Sequence, residues 1–234
     1  MIQLHNADCF EIMPTIPYAS IDLILCDLPY GTTANKWDIP LPLDKLWAEY
    51  ERILKPKGTV VLFAQTPFDK ILGASNPKML KYEWIWVKDR PTGFLNAKKA
   101  PMKFHENILV FYKSPTYYPQ MGDGKPYKAV KKNESSNYGA QRAVTIKNNG
   151  ERYPGSVLKA KMDRGLHPTQ KPLGLCKYLI KTYTREGDFV LDNCMGCGTT
   201  GLAALQTKRN FVGIEMNKGY FDIAYGRIVE GKNA

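Results

Sequence analysis

No apolar run in the 234-residue chain approaches the roughly 18 residues that a membrane-spanning helix needs. The opening Met1-Ile-Gln-Leu-His-Asn-Ala-Asp8 has no basic stretch followed by an apolar one, so no cleaved signal peptide is expected. Cysteine is scarce and odd in number: five residues, at 9, 26, 176, 194 and 197, which argues against a disulfide framework. The apolar neighbours of Cys9 and Cys26 point to reduced thiols in a cytoplasm-like compartment. Cys194-Met-Gly-Cys197 has C-x-x-C spacing but no second ligand pair at finger spacing, which argues against zinc and leaves only a weak case for redox chemistry. Acids are short relative to bases, 22 against 33, and the resulting net charge of +11 favours a polyanionic partner over a surface kept basic for solubility alone. The chain is 44% hydrophobic and 24% charged, which excludes a disordered or collagen-like polymer. Its length suits one large domain or two small ones.

Apolar runs ending in turn signals alternate with helical patterns. Ile21–Cys26 reads as a strand stopped by Asp27-Leu-Pro-Tyr-Gly31. Apolar residues at 43, 46, 47, 50, 53 and 54 have helical spacing, and Lys55-Pro-Lys-Gly58 is expected to end that helix. The continuous run Thr59–Ala64 suits a strand buried on both faces, and Tyr82–Val87 and Asn107–Tyr112 read as two more. After residue 172 the pattern predicts a helix over 173–183, a strand over 188–192, a helix over 199–206, a strand over 211–215 and a helix over 220–228. Such alternation implies an α/β fold with a largely parallel sheet.

Between 115 and 165 periodicity fades. Ten bases stand there against four acids, so more than half of the excess charge lies in this stretch. It reads either as a solvated linker or as a segment that lies on a phosphate backbone. Tyr117, Tyr118, Tyr127, Tyr138 and Tyr153, interleaved with the bases, tilt the balance toward nucleic acid. Lys98, Lys99 and Lys103 form a second basic group between two strands, suited either to phosphate or to a solvated loop.

Gly196-Cys-Gly198-Thr-Thr-Gly201 fits G-x-G-x-x-G between a strand and a helix, with Glu215 at the end of the next strand. Mechanically this is a dinucleotide fingerprint, and the lesser alternative is a tight strand-to-helix turn with no ligand. Asp192 separates the readings. A carboxylate closing the strand before the loop repels a pyrophosphate and attracts a cation. S-adenosylmethionine carries a sulfonium and an ammonium and no phosphate, so Asp192 favours it over NAD. Glu215 can accept from ribose hydroxyls, a role both ligands share, and the glycines admit close backbone approach.

Asp27-Leu28-Pro29-Tyr30 follows a buried strand, where α/β sheets place ligand groups. The exocyclic amine of a base is a poor nucleophile because its lone pair is delocalised into the ring. Two acceptors aimed at its N–H groups favour the tetrahedral geometry that attack requires. Asp27 offers a carboxylate and Leu28 a backbone carbonyl, while Pro29 biases Leu28 toward an extended conformation. Tyr30 offers a flat face for a base, an interaction worth about 1–3 kcal/mol and comparable to extruding a base from a duplex.

With these motifs the chain resembles the β group of amino-DNA methyltransferases, which methylate adenine N6 or cytosine N4. Asp27-Leu-Pro-Tyr30 resembles the family's D/N/S-P-P-Y motif, Leu191–Thr200 its D-P-F-x-G-S-G-T-T cofactor motif, and His167-Pro-Thr-Gln-Lys-Pro172 its H-P-T-Q-K-P signature. The resemblance implies a circularly permuted, Rossmann-like S-adenosylmethionine-dependent fold with a mostly parallel sheet and helices on both faces. It implies a single methyltransferase domain over 1–234, with 115–165 as an embedded DNA-recognition segment. The implied catalytic residues are Asp27, Leu28, Pro29 and Tyr30. Those implied for S-adenosylmethionine are Asp8, Cys9, Thr169, Gln170, Lys171, Asp192, Gly196, Gly198, Thr199, Thr200 and Glu215. Asp8 would accept from the adenine amine of the cofactor, or be a surface acid in a turn. Thr169 and Lys171 would hold its carboxylate, and His167 would be a positioning group. The chemistry implied is direct methyl transfer to the N6 amine of a flipped adenine in duplex DNA, with no metal. The implied setting is the cytoplasm of a prokaryote, or a phage-encoded enzyme, with a second copy or a cognate restriction endonuclease as further partners to look for. Cytosine N4 is the first rival, disfavoured because those enzymes more often carry Ser where Asp27 stands. RNA, a glutamine amide, or a DNA-binding relative without catalysis are further rivals, the last motivated by Leu28 and Asn193-Cys194, which depart from the family pattern.

Overall fold

The computed structural model describes residues 1–32, 35, 38–131, 144–163, 165–166 and 169–230. His167 and Pro168 of the His-Pro-Thr-Gln-Lys-Pro segment, and Lys132, Glu134, Tyr138, Arg142 and Arg164 of the basic stretch, lie outside the described residues.

Two units are present, Met1–Tyr118 with Ser156–Ala234, and Pro119–Gly155. The larger is built on the strands β1 (Ile2–His5), β2 (Ile21–Asp27), β3 (Leu54–Ala64), β4 (Leu80–Thr92), β5 (Lys103–Tyr112), β10 (Val157–Lys159), β11 (Phe189–Asp192) and β12 (Asn210–Ile214), in the order β1-β12-β11-β2-β3-β5-β4-β10. Every neighbouring pair is parallel except the two that β5 makes with β3 and β4.

Helices α1 (Cys9–Ile12), α2 (Leu43–Ile53) and α3 (Phe68–Ser75) cover one face, and α4 (Leu173–Tyr183), α5 (Thr199–Gln206) and α6 (Lys218–Ile228) the other. Strand alternation divides the core between them. Ile24 and Cys26 of β2 and Val60 and Leu62 of β3 join Leu46, Trp47, Tyr50 and Ile53 of α2, whereas Leu23, Leu25, Val61 and Phe63 join Leu175, Leu179 and Ile180 of α4. Because both faces are covered, these strands read as unbroken apolar runs.

The alternating pattern located α2, α4, α5, α6 and the central strands within a few residues, and it marked neither α1 nor α3. Three expected boundaries differ most: the end of α2 and the extents of β4 and β5. Helix α2 ends at Ile53, and Lys55-Pro-Lys-Gly58 already belongs to β3 rather than to a stop after the helix. Ile21 pairs with Leu54 and Leu23 with Thr59, so Lys55–Gly58 bulges out of the ladder, the setting in which a strand tolerates Pro56. Lys55 bonds Asp22 there at 2.7 Å. Strands β4 and β5 run well beyond their apolar centres, because backbone pairing continues through the polar residues near Lys88 and Lys103.

The smaller unit lies inside the stretch where the pattern fades. It pairs β6 (Gly122–Asp123) with β9 (Glu151–Arg152), and β7 (Tyr127–Lys131) with β8 (Val144–Asn148), all antiparallel. Its strands escape pattern reading because they are short and expose most of their residues. The Arg152 guanidinium lies 4.9 Å from the Tyr127 ring centroid and bonds Asn148. Lys128 and Lys147 stand directly opposite each other, both exposed. Like charges so placed repel until a counter-charge covers them.

Candidate active site

Strands β2 and β11 are neighbours in space although most of the chain separates them. From β2 the sheet grows through β3, and from β11 it grows the other way through β12 and β1. Their carboxyl ends form a topological switch point, where α/β sheets hold ligands. Asp27 ends β2 and Asp192 ends β11. Between them opens a cleft of about 1350 Å³, lined by both carboxylates, Tyr30, the glycine turn and Glu215.

On the β2 side, Asp27 accepts from the Tyr30 hydroxyl at 2.6 Å and from the Lys171 ammonium on its other oxygen. The Tyr30 ring, expected to offer a face to a base, is braced on Phe68 with centroids 5.2 Å apart. The backbone N–H groups of Gly31 and Thr32 donate to Asp38, which anchors the turn after the motif. Leu28 has a buried side chain and lines the cleft, as does Pro29. Burial pushes the Asp27 carboxyl up from its ordinary range, opposed by Lys171.

Lys171, expected to hold a cofactor carboxylate, has its ammonium between Asp27 and Glu106, 3.4 Å from the latter. Glu106 in turn pairs with Lys88 at 2.6 Å. Burial opposes these charges, yet their mutual attraction outweighs it: Lys171 is held above the usual lysine range and Glu106 below the usual carboxylate range. Glu106 and Lys88 were not among the residues expected from sequence. They project from β5 and β4 toward the same side as the core residues Ile108 and Trp86. Two opposite charges at core-facing positions of paired apolar strands were the available signal.

On the β11 side, Asp192 is buried and accepts from the Cys194 backbone N–H at 3.1 Å. Burial raises its carboxyl to about 6. Among the described residues no cation pairs with it. Glu215 accepts from the Gly196 and Asn217 backbone N–H groups at 2.9 and 2.8 Å, which holds the glycine turn against the end of β12. Gly196 and Gly198 both have positive φ, 52° and 76°. At Gly198 the close approach is made by α6: a Cβ would lie 2.8 Å from that of Ala224. Thr199 and Thr200 open α5 and are buried at the cleft wall. The buried Arg227 of α6 donates to the Cys197 carbonyl, a brace for the turn that sequence reading missed.

Asp8 caps α1 by accepting from the Phe10 N–H at 2.8 Å and also lines the cleft. Cys9 lies in the wall, its thiol against that of Cys194, which in turn meets Cys26. Asn193, where the family commonly has Pro, accepts from the buried Tyr50 hydroxyl at 2.5 Å. Thr169 and Gln170 line the cleft, and among the described residues the buried Gln170 Oε1 has no hydrogen-bond partner.

A mostly parallel sheet, helices on both faces, and a switch-point cleft between a carboxylate-tyrosine turn and a glycine turn define the S-adenosylmethionine-dependent methyltransferase fold. The family model described as DNA methylase matches residues 21–226, and the chain belongs to that family. It is 30% identical to the type II methyltransferase M.BglII of Bacillus subtilis over 98% of this chain and 69% of that protein. It is 29% identical to the DNA adenine methyltransferase YhdJ of Escherichia coli, over 95% of this chain and 81% of that one. Among solved structures it is similar to the M1.HpyAVI–SAM complex, with a TM-score of 0.67 and 28% identity, covering 98% of this chain and 100% of that one.

Proposed function

We propose that this DNA methyltransferase acts on adenine N6 in double-stranded DNA, with S-adenosylmethionine as donor. The observation that carries the reading is the placement of Asp27 and Tyr30 across one cleft from Asp192 and Glu215. An aspartate at the amine-binding position, in place of serine, supports adenine over cytosine, as does the likeness to the Escherichia coli adenine enzyme.

The residues present fit the donor. Asp192 is a buried carboxylate with no ion pair among the described residues, and Gln170, in the wall of the same cleft, has a buried oxygen with no hydrogen-bond partner among them. Both are acceptors suited to a cationic ligand. S-adenosylmethionine supplies a methyl group on a positively charged sulfur. Asp192, Gln170 and Thr169 would hold its amino-acid end, Glu215 its ribose, and Asp8 its adenine. Asp27 and the Leu28 carbonyl would accept the two N–H groups of the target amine. The S–CH3 bond would break to leave a neutral thioether as the N–CH3 bond forms, and the proton that the amine loses would pass to Asp27 or to solvent.

Both Asp27 oxygens are engaged in the structure, one by Tyr30 and one by Lys171. The amine needs one of them. Lys171 has a second place to go: the Glu106 Oε2 is buried, has no hydrogen-bond partner among the described residues and lies 3.4 Å from the ammonium. A small shift toward Glu106 releases Asp27 without leaving Lys171 unpaired. Glu106 and Lys171 are therefore positioning residues in this reading.

The basic stretch 115–165 would contact DNA phosphates, supported by the exposed Lys128–Lys147 pair. Asp27→Ala should abolish methylation while donor binding, measured by calorimetry, stays near the parent value. Equal loss of both would make Asp27 structural and remove the reading.

A further inference from the structure

Strands β4 and β5 form an antiparallel hairpin. Because β5 runs against β3, and β3 runs with β2, β4 points the same way as β2. Its tip therefore leaves the sheet at the edge where Asp27 stands, and Thr92 at its base lines the catalytic cleft. The tip is a formed turn. Gly93 has φ 88°, and the N–H groups of Asn96, Ala97, Lys99 and Ala100 donate back within it at 2.8 to 3.0 Å. This turn presents its two largest apolar side chains to solvent: Phe94 is 78% and Leu95 98% exposed. Along the chain they are flanked by Arg90, Lys98, Lys99 and Lys103, the last of which donates to Gln65 at 2.7 Å, with no acid between residues 90 and 105.

A hydrogen-bonded turn that exposes two bulky apolar groups within a basic stretch of chain, on the catalytic edge, matches a duplex: phosphates outside, stacked bases within. Apolar side chains of this kind enter base steps and unstack them. We propose that Phe94 and Leu95 form a wedge that enters the base stack next to the target nucleotide and promotes its extrusion, with basic side chains of the same stretch on the flanking phosphates. The inference rests on the reading that DNA is the substrate, and it adds a group that lowers the work of flipping.

The test uses the full chain and a duplex carrying a methylation site already mapped with the parent protein. The double variant Phe94→Ala/Leu95→Ala should methylate the paired duplex about 10- to 100-fold more slowly, the scale set by the cost of unpairing a base. It should recover to within a few fold of the parent on the same duplex with the target base mispaired, because that base is already loosened. The fluorescence rise of 2-aminopurine placed at the target should weaken in parallel on the paired duplex. Equal losses on both duplexes, or no loss on either, would overturn the wedge. So would an unchanged methylation rate combined with loss of self-association in the double variant, which would make the tip an interface between copies of this chain. Failure of the parent protein to methylate any DNA would instead remove the underlying reading, and the parent control separates the two failures.

Discussion

Replacing Glu106 by glutamine tests whether Lys171 must leave Asp27 for the amine to bind. At 3.4 Å the Lys171–Glu106 attraction is about 5 kcal/mol at an effective dielectric constant near 20, before desolvation is counted. Glutamine keeps the shape and a neutral acceptor, so toward Lys171 the charge-assisted part is lost, about 1–2 kcal/mol, and Lys88 loses its charged partner as well. The expected result is a fall in kcat of about 5- to 30-fold with donor affinity unchanged. The pH profile gives a second readout. Activity needs Asp27 ionised, so it falls as pH drops through the Asp27 pKa, which burial has raised. Glu106 adds to that rise by like-charge repulsion, and its removal leaves Lys171 to attend Asp27 alone. The acid limb should therefore move to lower pH in Glu106→Gln even as the maximal rate falls. Glu106→Asp, which restores the charge on a shorter arm, should recover part of the rate. A steady-state rate and pH series on plasmid DNA, with melting temperature as a control for folding, decides the matter. An unchanged kcat, or a lower kcat with an unmoved acid limb and a lower melting temperature, would refute the reasoning.

Donor affinity should weaken as pH falls below about 6, by roughly tenfold per unit at the limit, because the protonated Asp192 no longer attracts a cation. Calorimetric titration with S-adenosylmethionine between pH 5 and 8 reads this (working values, chosen to bracket the ionisation), and a flat profile would count against Asp192 as a donor ligand. Lys128→Ala and Lys147→Ala should each reduce the slope of log affinity for DNA against log salt by about one. Neither should affect donor binding, and an unchanged slope would argue that this pair faces no phosphate.

How far the sequence could be read depended on what each feature's signal is made of. The central strands were legible because a sheet covered on both faces demands unbroken apolar runs, as at Val60–Ala64. The amphipathic α2 was legible because Leu46, Trp47, Tyr50 and Ile53 recur at helical spacing. The short edge strand β1, the one-turn α1 and the small strands of 119–155 carry too few buried residues to leave a period. At the site, Asp27 and Asp192 could be singled out because each ends a strand beside a turn motif, and Tyr30 and Glu215 because each follows such a strand end closely. The pairing of Lys171 with Asp27 could not, since it joins residues from distant parts of the chain. Glu106 and Lys88 were hidden for a related reason: a charge inside a strand pattern looks like the end of the strand until its partner is placed opposite. The glycine turn shows the same limit, since nothing local to Gly198 reveals that α6 is what crowds it.

The most direct test is a crystal structure of the protein soaked with S-adenosylmethionine. The account predicts the amino group of the ligand at Asp192, its ribose at Glu215, and its methyl carbon facing the space beside Asp27 and Tyr30. Density for the ligand elsewhere, or a methyl group turned away from Asp27, would contradict it.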